Sequence, residues 1–213
     1  DQQALKVLDE IDWAVQQMNV LLTDLNRLAA QPTGTGQLSP QTLEVAMLTE
    51  RVRGRLRALA YGKDLRTSAF STREAPAHIC VDPTLYDRVV DNLLTNAIKY
   101  TDRGSIIVEM DGSPGFLVVK VSDTGRGIAP EELERSFAPG GSNEAQRAAH
   151  SLGVGLSVVV QLLARIGGRL EIMSKPNVGT TFWLHFPIDS TPSVVAADAS
   201  RDFGKVVSIR RIG

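Results

Sequence analysis

The chain has 213 residues, of which 43% are hydrophobic and 22% charged, with a formal net charge of -1. That is enough apolar material for one substantial core plus an appendage, and the balanced charge argues against a nucleic-acid partner, which calls for clustered excess Lys and Arg. The single cysteine, Cys80, excludes an internal disulfide and a multi-cysteine metal site, reads as a small buried apolar residue, and fits a reducing compartment.

No apolar run approaches the roughly 20 residues of a membrane span, and the N-terminus lacks the basic-then-apolar pattern of a signal peptide. The expectation is a soluble, cytoplasmic segment. It opens in mid-pattern on Asp1-Gln2-Gln3-Ala4-Leu5, as though cut from something longer, and the accompanying expectation is a sensor or membrane segment upstream.

From residue 8 the apolar positions Leu8, Ile11, Val15, Met18, Leu22 and Leu25 step by 3, 4, 3, 4, 3, the seam of a coiled coil. An amphipathic helix lying on its own domain is the competing reading. Gln31-Pro32-Thr33-Gly34-Thr35-Gly36 breaks it. Ser39-Pro40 opens a second helical pattern with Leu43, Met47, Val52, Leu56 and Leu59 inward, and Arg51, Arg53, Arg55 and Arg57 spread around it as a solvated, salt-bridged face. Leu65 to Thr72 and Ile79-Cys80-Val81 read as two short strands around the turn Glu74-Ala75-Pro76.

Asp82-Pro83 supplies an N-cap and a proline at the first helical position, so a helix begins there and runs toward Asp102-Arg103-Gly104. Strands are expected at Ser105 to Met110 and Phe116 to Ser122, then a short helix from Pro130 to about Phe137. Residues 138–152 show no sustained period, and an aperiodic loop of about 15 residues inside a domain reads as a functional lid. Gly153-Val154-Gly155-Leu156 starts an apolar helix through Ile166, capped by Gly167-Gly168. Strands follow at Arg169 to Ser174 and Thr180 to Phe186, and from Asp189 the composition is that of a linker or tail, with one further strand at Val206 to Ile209.

Within the Asp82-capped helix, about 100° per residue puts Asn92, Asn96 and Lys99 on one face and Leu85, Val89, Leu93 and Ala97 on another. Two carboxamides and an ammonium suit a metal–polyphosphate ligand; a solvated helix face fits the same pattern. Asp123, before Gly125-x-Gly127 at a strand exit, can accept hydrogen bonds from an amine such as adenine N6, with the glycines letting backbone approach a flat ring. A plain turn would look the same. Gly153-x-Gly155 at a helix start offers N–H groups and a dipole to phosphate.

Taken in order, Asn-x-x-x-Asn-Ala-x-Lys-Tyr-Thr, Asp-Thr-Gly-Arg-Gly-Ile, a Phe-containing short helix, a lid, Gly-Val-Gly-Leu-Ser and Gly179-Thr180-Thr181-Phe182 resemble the sensor histidine kinases of two-component signalling. The ATP-binding domain of that family has the Bergerat (GHKL) fold shared with gyrase, Hsp90 and MutL. The resemblance implies an α/β (α+β) two-layer sandwich, a mixed sheet packed on helices, preceded by an N-terminal coiled-coil or hairpin helix. It divides the chain into a partial dimerisation helix (1–31), a linker (32–38), the ATP-binding catalytic domain (39–188) and a tail or linker (189–213).

It further implies that Asn96 ligates Mg²⁺ with Asn92 close by, that Lys99 contacts phosphate and that Tyr100 flanks the nucleotide. Asp123 takes the adenine amino group, and Gly125, Gly127 and Ile128 shape the base pocket. Gly153, Val154, Gly155 and Leu156 form the next box, its glycines against the phosphates; Thr180 lies near the base through water. Arg147, in the lid, is a candidate phosphate contact beside its reading as an exposed side chain.

In the gyrase-like branch the first box residue is a glutamate that activates water, and here it is Asn92, a carboxamide that cannot act as a base near neutral pH. Asp91, the nearest carboxylate, is rotated about 100° off that face. The implied reaction is therefore γ-phosphoryl transfer from ATP to a protein histidine. None of His78, His150 and His185 has the family's phosphoacceptor context, so the acceptor belongs to a hairpin helix not complete in this chain. His78 and His185 read as structural, and His150 as a weaker candidate for a nucleotide contact. Implied partners are that histidine-bearing hairpin, a response-regulator receiver domain and a second copy in a full-length homodimer. The alternatives are a degenerate nucleotide-binding module that regulates another kinase, a GHKL ATPase, and an anti-sigma-type serine kinase.

Overall fold

The computed structural model describes residues 38–137, 154–189 and 206–210. The heptad helix, the lid, Gly153, Arg147 and His150 lie outside the described residues. Backbone contacts divide the chain between Leu38 and Ser39, and the fold below is that of the unit beginning at Ser39.

Strand β1 (Gln41–Glu44) leads into helix α1 (Val45–Leu59), followed by β2 (Leu65–Ser71), β3 (His78–Val81), α2 (Pro83–Tyr100), β4 (Gly104–Ser113), β5 (Phe116–Asp123) and α3 (Pro130–Phe137). Helix α4 (Val154–Arg165) and strands β6 (Arg169–Lys175), β7 (Gly179–Pro187) and β8 (Val207–Ile209) complete the order. Six strands form one mixed sheet, β2-β4-β5-β7-β6-β8, and β1 with β3 forms a separate pair. The four central strands pair antiparallel with one another, while β2 runs parallel to β4 and β8 parallel to β6.

Alternation along the strands assigns one sheet face to the core. Ile106, Val108, Met110, Leu117, Val119, Val121, Leu170, Ile172, Leu184 and Phe186 are all fully buried on it. Helices α1, α2 and α4 cover that face, α1 on β2, α2 on β5 and α4, and α4 on β6. Helix α2 is fixed at its start as expected: Asp82 accepts from the Leu85 backbone N–H (3.0 Å), and Pro83 occupies the first turn, where its missing N–H costs nothing. Its row Leu85, Val89, Leu93 and Ala97 is buried, and Tyr86 packs on Phe186 with ring centroids 5.0 Å apart. This is the two-layer α/β sandwich that the sequence implied.

Three local expectations are corrected. The helix expected from Ser39-Pro40 starts only at Val45, because Gln41–Glu44 pairs with β3 in register Thr42↔Cys80. Its inward stripe is accordingly Val45, Leu48, Thr49, Val52 and Leu56, while Met47, on the Arg51 side, is 63% exposed and Leu59, in the last turn, 39%. The strands on either side of Glu74-Ala75-Pro76 do form but belong to different sheets, since the Thr72 N–H donates to Met110 O and the Cys80 N–H to Ile188 O. Cys80 is half-buried rather than buried. The strand expected within the tail is present as β8, which satisfies the edge of β6. Among the described residues no helix is long and apolar enough to cross a membrane.

The arginines of α1 meet carboxylates as expected: Arg51 bonds Asp87 (3.1 Å), and Arg53 and Arg55 pair with Glu50 and Asp91. On the far face of the sheet His185 is buried, its Nε2 2.9 Å from Glu171 Oε1, while the other Glu171 oxygen accepts from Arg210 Nε. Burial holds the His185 imidazole below the ordinary histidine range despite Glu171, and Arg169 and Arg210 push the same way as burial. A histidine that takes up protons more readily when unfolded contributes stability present above about pH 6.5 and lost below it. The denaturation midpoint should therefore fall between about pH 7.5 and about pH 5.5, and fall less in His185→Gln. An equal fall in both proteins, followed by circular dichroism, would assign the acid sensitivity to other groups.

Candidate functional site

The C-terminal half of α2, the exit of β5, the start of α4 and the start of β7 enclose a cleft of about 440 Å³, counting the space at its open mouth. Asn96, Ala97 and Tyr100 line it from α2, Asp123, Arg126, Gly127 and Ile128 from β5 and its loop, Leu156 from α4, and Thr180 and Phe182 from β7.

Asp123 is the pivot. Its Oδ1 accepts from the backbone N–H groups of Gly125 (2.9 Å) and Thr180 (3.3 Å), and no hydrogen bond among the described residues uses its other oxygen. Burial raises the carboxyl above its usual range, and those two N–H bonds oppose the rise. The site thus holds a desolvated acceptor oriented by backbone and suited to a ligand N–H. Beside it Ser174 Oγ accepts from the Ile128 N–H (2.8 Å) and lies 2.9 Å from Thr180 Oγ1, so one hydroxyl ties the loop to β7.

Gly127 stands at φ +66°, and a Cβ there would lie 2.0 Å from Lys175 O. The segment it faces is the turn Lys175 to Val178, closed by Val178 N–H to Lys175 O (3.1 Å), with Asn177 at φ 61° and donating to Arg126 O (2.7 Å). Gly125 is equally confined, with a Cβ placed 2.3 Å from Tyr100 O. It lies under Asp123, not on the cleft wall.

Seven of the residues implied by the resemblance meet at the cleft: Asn96, Tyr100, Asp123, Gly127, Ile128, Leu156 and Thr180. Asn92 and Lys99 are not on its wall. The Asn92 amide donates to Arg88 O (2.7 Å), one turn back along α2, which leaves its oxygen as the group it can offer. Lys99 Nζ lies 5.1 Å from the centre of the Tyr100 ring, its ammonium disfavoured by burial and then by Arg126. Val154 and Gly155 open α4 as expected. Asp91 is committed to Arg55, away from the cleft.

Sequence reasoning missed Ala97, Phe182 and Arg126. Phe182 was legible, because it follows Thr180 by two in the same strand and so shares its face. Arg126 sat in plain view between two glycines, but nothing in the pattern said where its side chain goes.

The model of the histidine kinase-, DNA gyrase B- and HSP90-like ATPase family matches residues 81–190. The chain is 33% identical over 179 residues to the sensor protein IrlS of Burkholderia pseudomallei (strain K96243), an alignment covering 81% of this chain and 37% of IrlS. To the sensor protein EvgS of Escherichia coli O157:H7 it is 28% identical over 175 residues, covering 80% of this chain and 15% of EvgS. The chain therefore spans well under half the length of either relative. Among solved structures, full-length ShkA in complex with AMPPNP superposes with a TM-score of 0.60 at 22% identity, over 76% of this chain and 34% of that one. The nucleotide-free catalytic domain of the histidine kinase ThkA gives 0.58 at 21% identity, over 72% of this chain and 98% of that one.

The confinement at Gly127 predicts that Gly127→Ala loses about 3 kcal/mol or more, because left-handed strain and a backbone clash act together. Gly54→Ala, in open space on α1, should gain up to about 1 kcal/mol. Urea denaturation compares the two, and a Gly127→Ala midpoint at or above wild type would show that the loop yields.

Proposed function

The chain belongs to the family of histidine kinase-, DNA gyrase B- and HSP90-like ATPases, and from that membership we propose that it binds Mg-ATP in this cleft and transfers the γ-phosphoryl group to a histidine on a dimerisation hairpin. The observation that carries the reading is Asp123, a half-buried carboxylate held by two backbone N–H groups at the wall of a mostly apolar cleft. Such an acceptor bonds the exocyclic amine of adenine and repels the carbonyl oxygen that guanine presents at the same position. Ile128, Leu156 and Phe182 supply apolar surface for a flat ring, and Tyr100 an aromatic one.

Among the described residues no group of three or more His, Cys, Asp or Glu side chains could hold a metal ion. A cation bound here would be shared with phosphate oxygens and water, which is how Mg²⁺ binds nucleotides. Asn96 fits that role: it lines the cleft and carries a hard amide oxygen. Asn92 would stand in support one turn away, its orientation set by Arg88 O. When bound, Mg²⁺ supplies charge neutralisation and orientation of the phosphates.

The acceptor follows from what α2 lacks. The first position of the asparagine box is Asn92, which cannot take a proton from water, and the adjacent carboxylate Asp91 pairs with Arg55. Water activation thus has no base on this helix, and the γ-phosphoryl is left for a side-chain nucleophile, with positioning and electrostatics as the source of rate. In the full-length protein the partners would be a second copy, the histidine-bearing hairpin and a receiver domain, in the cytoplasm.

Asp123→Asn should weaken ATP binding about 100-fold, or about 2.7 kcal/mol, because an amide donor then faces the adenine amine. Wild-type protein should prefer ATP over GTP by calorimetry, and equal affinities would remove Asp123 from base recognition.

With γ-labelled ATP the chain alone should label none of its histidines, and a hairpin added in trans should become labelled. Labelling of His78, His150 or His185 would overturn the first expectation. A folded, ATP-binding chain that never labels a competent hairpin would favour the degenerate, regulatory alternative.

A further inference from the structure

Among the described residues the cleft has one anionic side chain, Asp123, and one cationic side chain on its wall, Arg126. The two glycines around Arg126 are packed against backbone, its N–H donates to Tyr100 O (3.1 Å) and its carbonyl accepts from Asn177 (2.7 Å). The root of the side chain is therefore fixed. Its guanidinium lies over the Tyr100 ring, with Cζ 4.3 Å from the centroid. No carboxylate among the described residues lies within ion-pair distance of it.

Lys99 Nζ approaches the same ring at 5.1 Å, so two cations gather on one aromatic side chain. A cation–π contact is worth only about 0.5–1 kcal/mol at a partly exposed site, and each cation works against the other: Arg126 is among the causes that disfavour the Lys99 ammonium. Arg126 itself lines the cleft, and a guanidinium answers phosphate with two parallel N–H bonds.

Resting on the nucleotide reading above, we propose that Arg126 is a phosphate-binding residue of this cleft, a guanidinium held at its wall by the Tyr100 ring and acting beside Lys99. The ligand it would take is the polyphosphate tail of the nucleotide whose base amine meets Asp123. The glycines on both sides make the position a rigid mount, so the contribution depends on the guanidinium and not on the loop.

Titration calorimetry with ATP, ADP and adenosine, on wild type, Arg126→Ala and Arg126→Lys, tests this. Arg126→Ala should weaken ATP at least tenfold and leave adenosine within about twofold, with Arg126→Lys in between and the salt dependence of ATP binding reduced in the alanine variant. Unchanged ATP affinity, or an equal loss for adenosine, would overturn the proposal, the second outcome meaning that Arg126 serves the base or the loop. Retained adenosine binding reports an intact cleft, and Arg126→Lys carries the comparison if the alanine variant does not fold. Wild-type protein that binds none of the three ligands would instead remove the nucleotide reading itself.

Discussion

The structure turns on a single desolvated carboxylate. Asp123 ends the central strand β5, where burial takes part of its usual hydration, and the loss is offset by two N–H groups that reach the same oxygen from the loop after it and from the first residues of β7. For both donors to arrive, backbone has to pass within van der Waals distance of backbone, which is why the positions around it are glycine. The same bonds join the loop, β5 and β7 into one rigid corner. The opposite oxygen remains for a ligand.

Helix α2 supplies the other wall by dividing its circumference. One stripe, from Leu85 to Ala97, is buried against the sheet and α4. A second carries Asn96 to the cleft wall, with Asn92 one turn back. Between them Asp87 and Asp91 pair with the arginines of α1, so the carboxylates of α2 are spent holding two helices together. These pairs are partly exposed and each is worth at most about 1 kcal/mol. Their larger consequence is chemical, because they commit the carboxylates of α2 to the arginines of α1.

The parts legible in the sequence were those with redundant signals. Asp82-Pro83 marks the start of α2 by a cap and a proline together, and the bonded Leu85 N–H matches it. Apolar and β-branched runs bounded by turns, from Phe116 to Ser122 and from Thr180 to Phe186, marked two strands that are central in the sheet. Where the signal depended on distant partners the reading failed. Gln41–Glu44 has no strand alternation of its own and becomes β1 only because β3 lies alongside. Met47 could be assigned to a face only after the first residue of α1 was known. Arg126 was overlooked for a different reason: glycine-rich motifs draw attention to the backbone, and the side chain they frame is placed by Tyr100, a contact between distant positions.

Strand β7 shows why site and core cannot be treated apart. Its inward positions pass without interruption from Thr180 and Phe182, at the cleft, to Leu184 and Phe186, under α2. A two-residue period gives no freedom to move one pair without the other. Its outward position His185 meets Glu171, which also holds Arg210 after β8, so the far face ties β6 and β8 to the strand that forms the cleft. A ligand that bonds Asp123 and packs on Phe182 therefore binds the folded sheet and not the unfolded chain, and adds stability in proportion to the logarithm of its concentration over Kd. Occupancy of the cleft and integrity of the sheet are consequently linked through one strand.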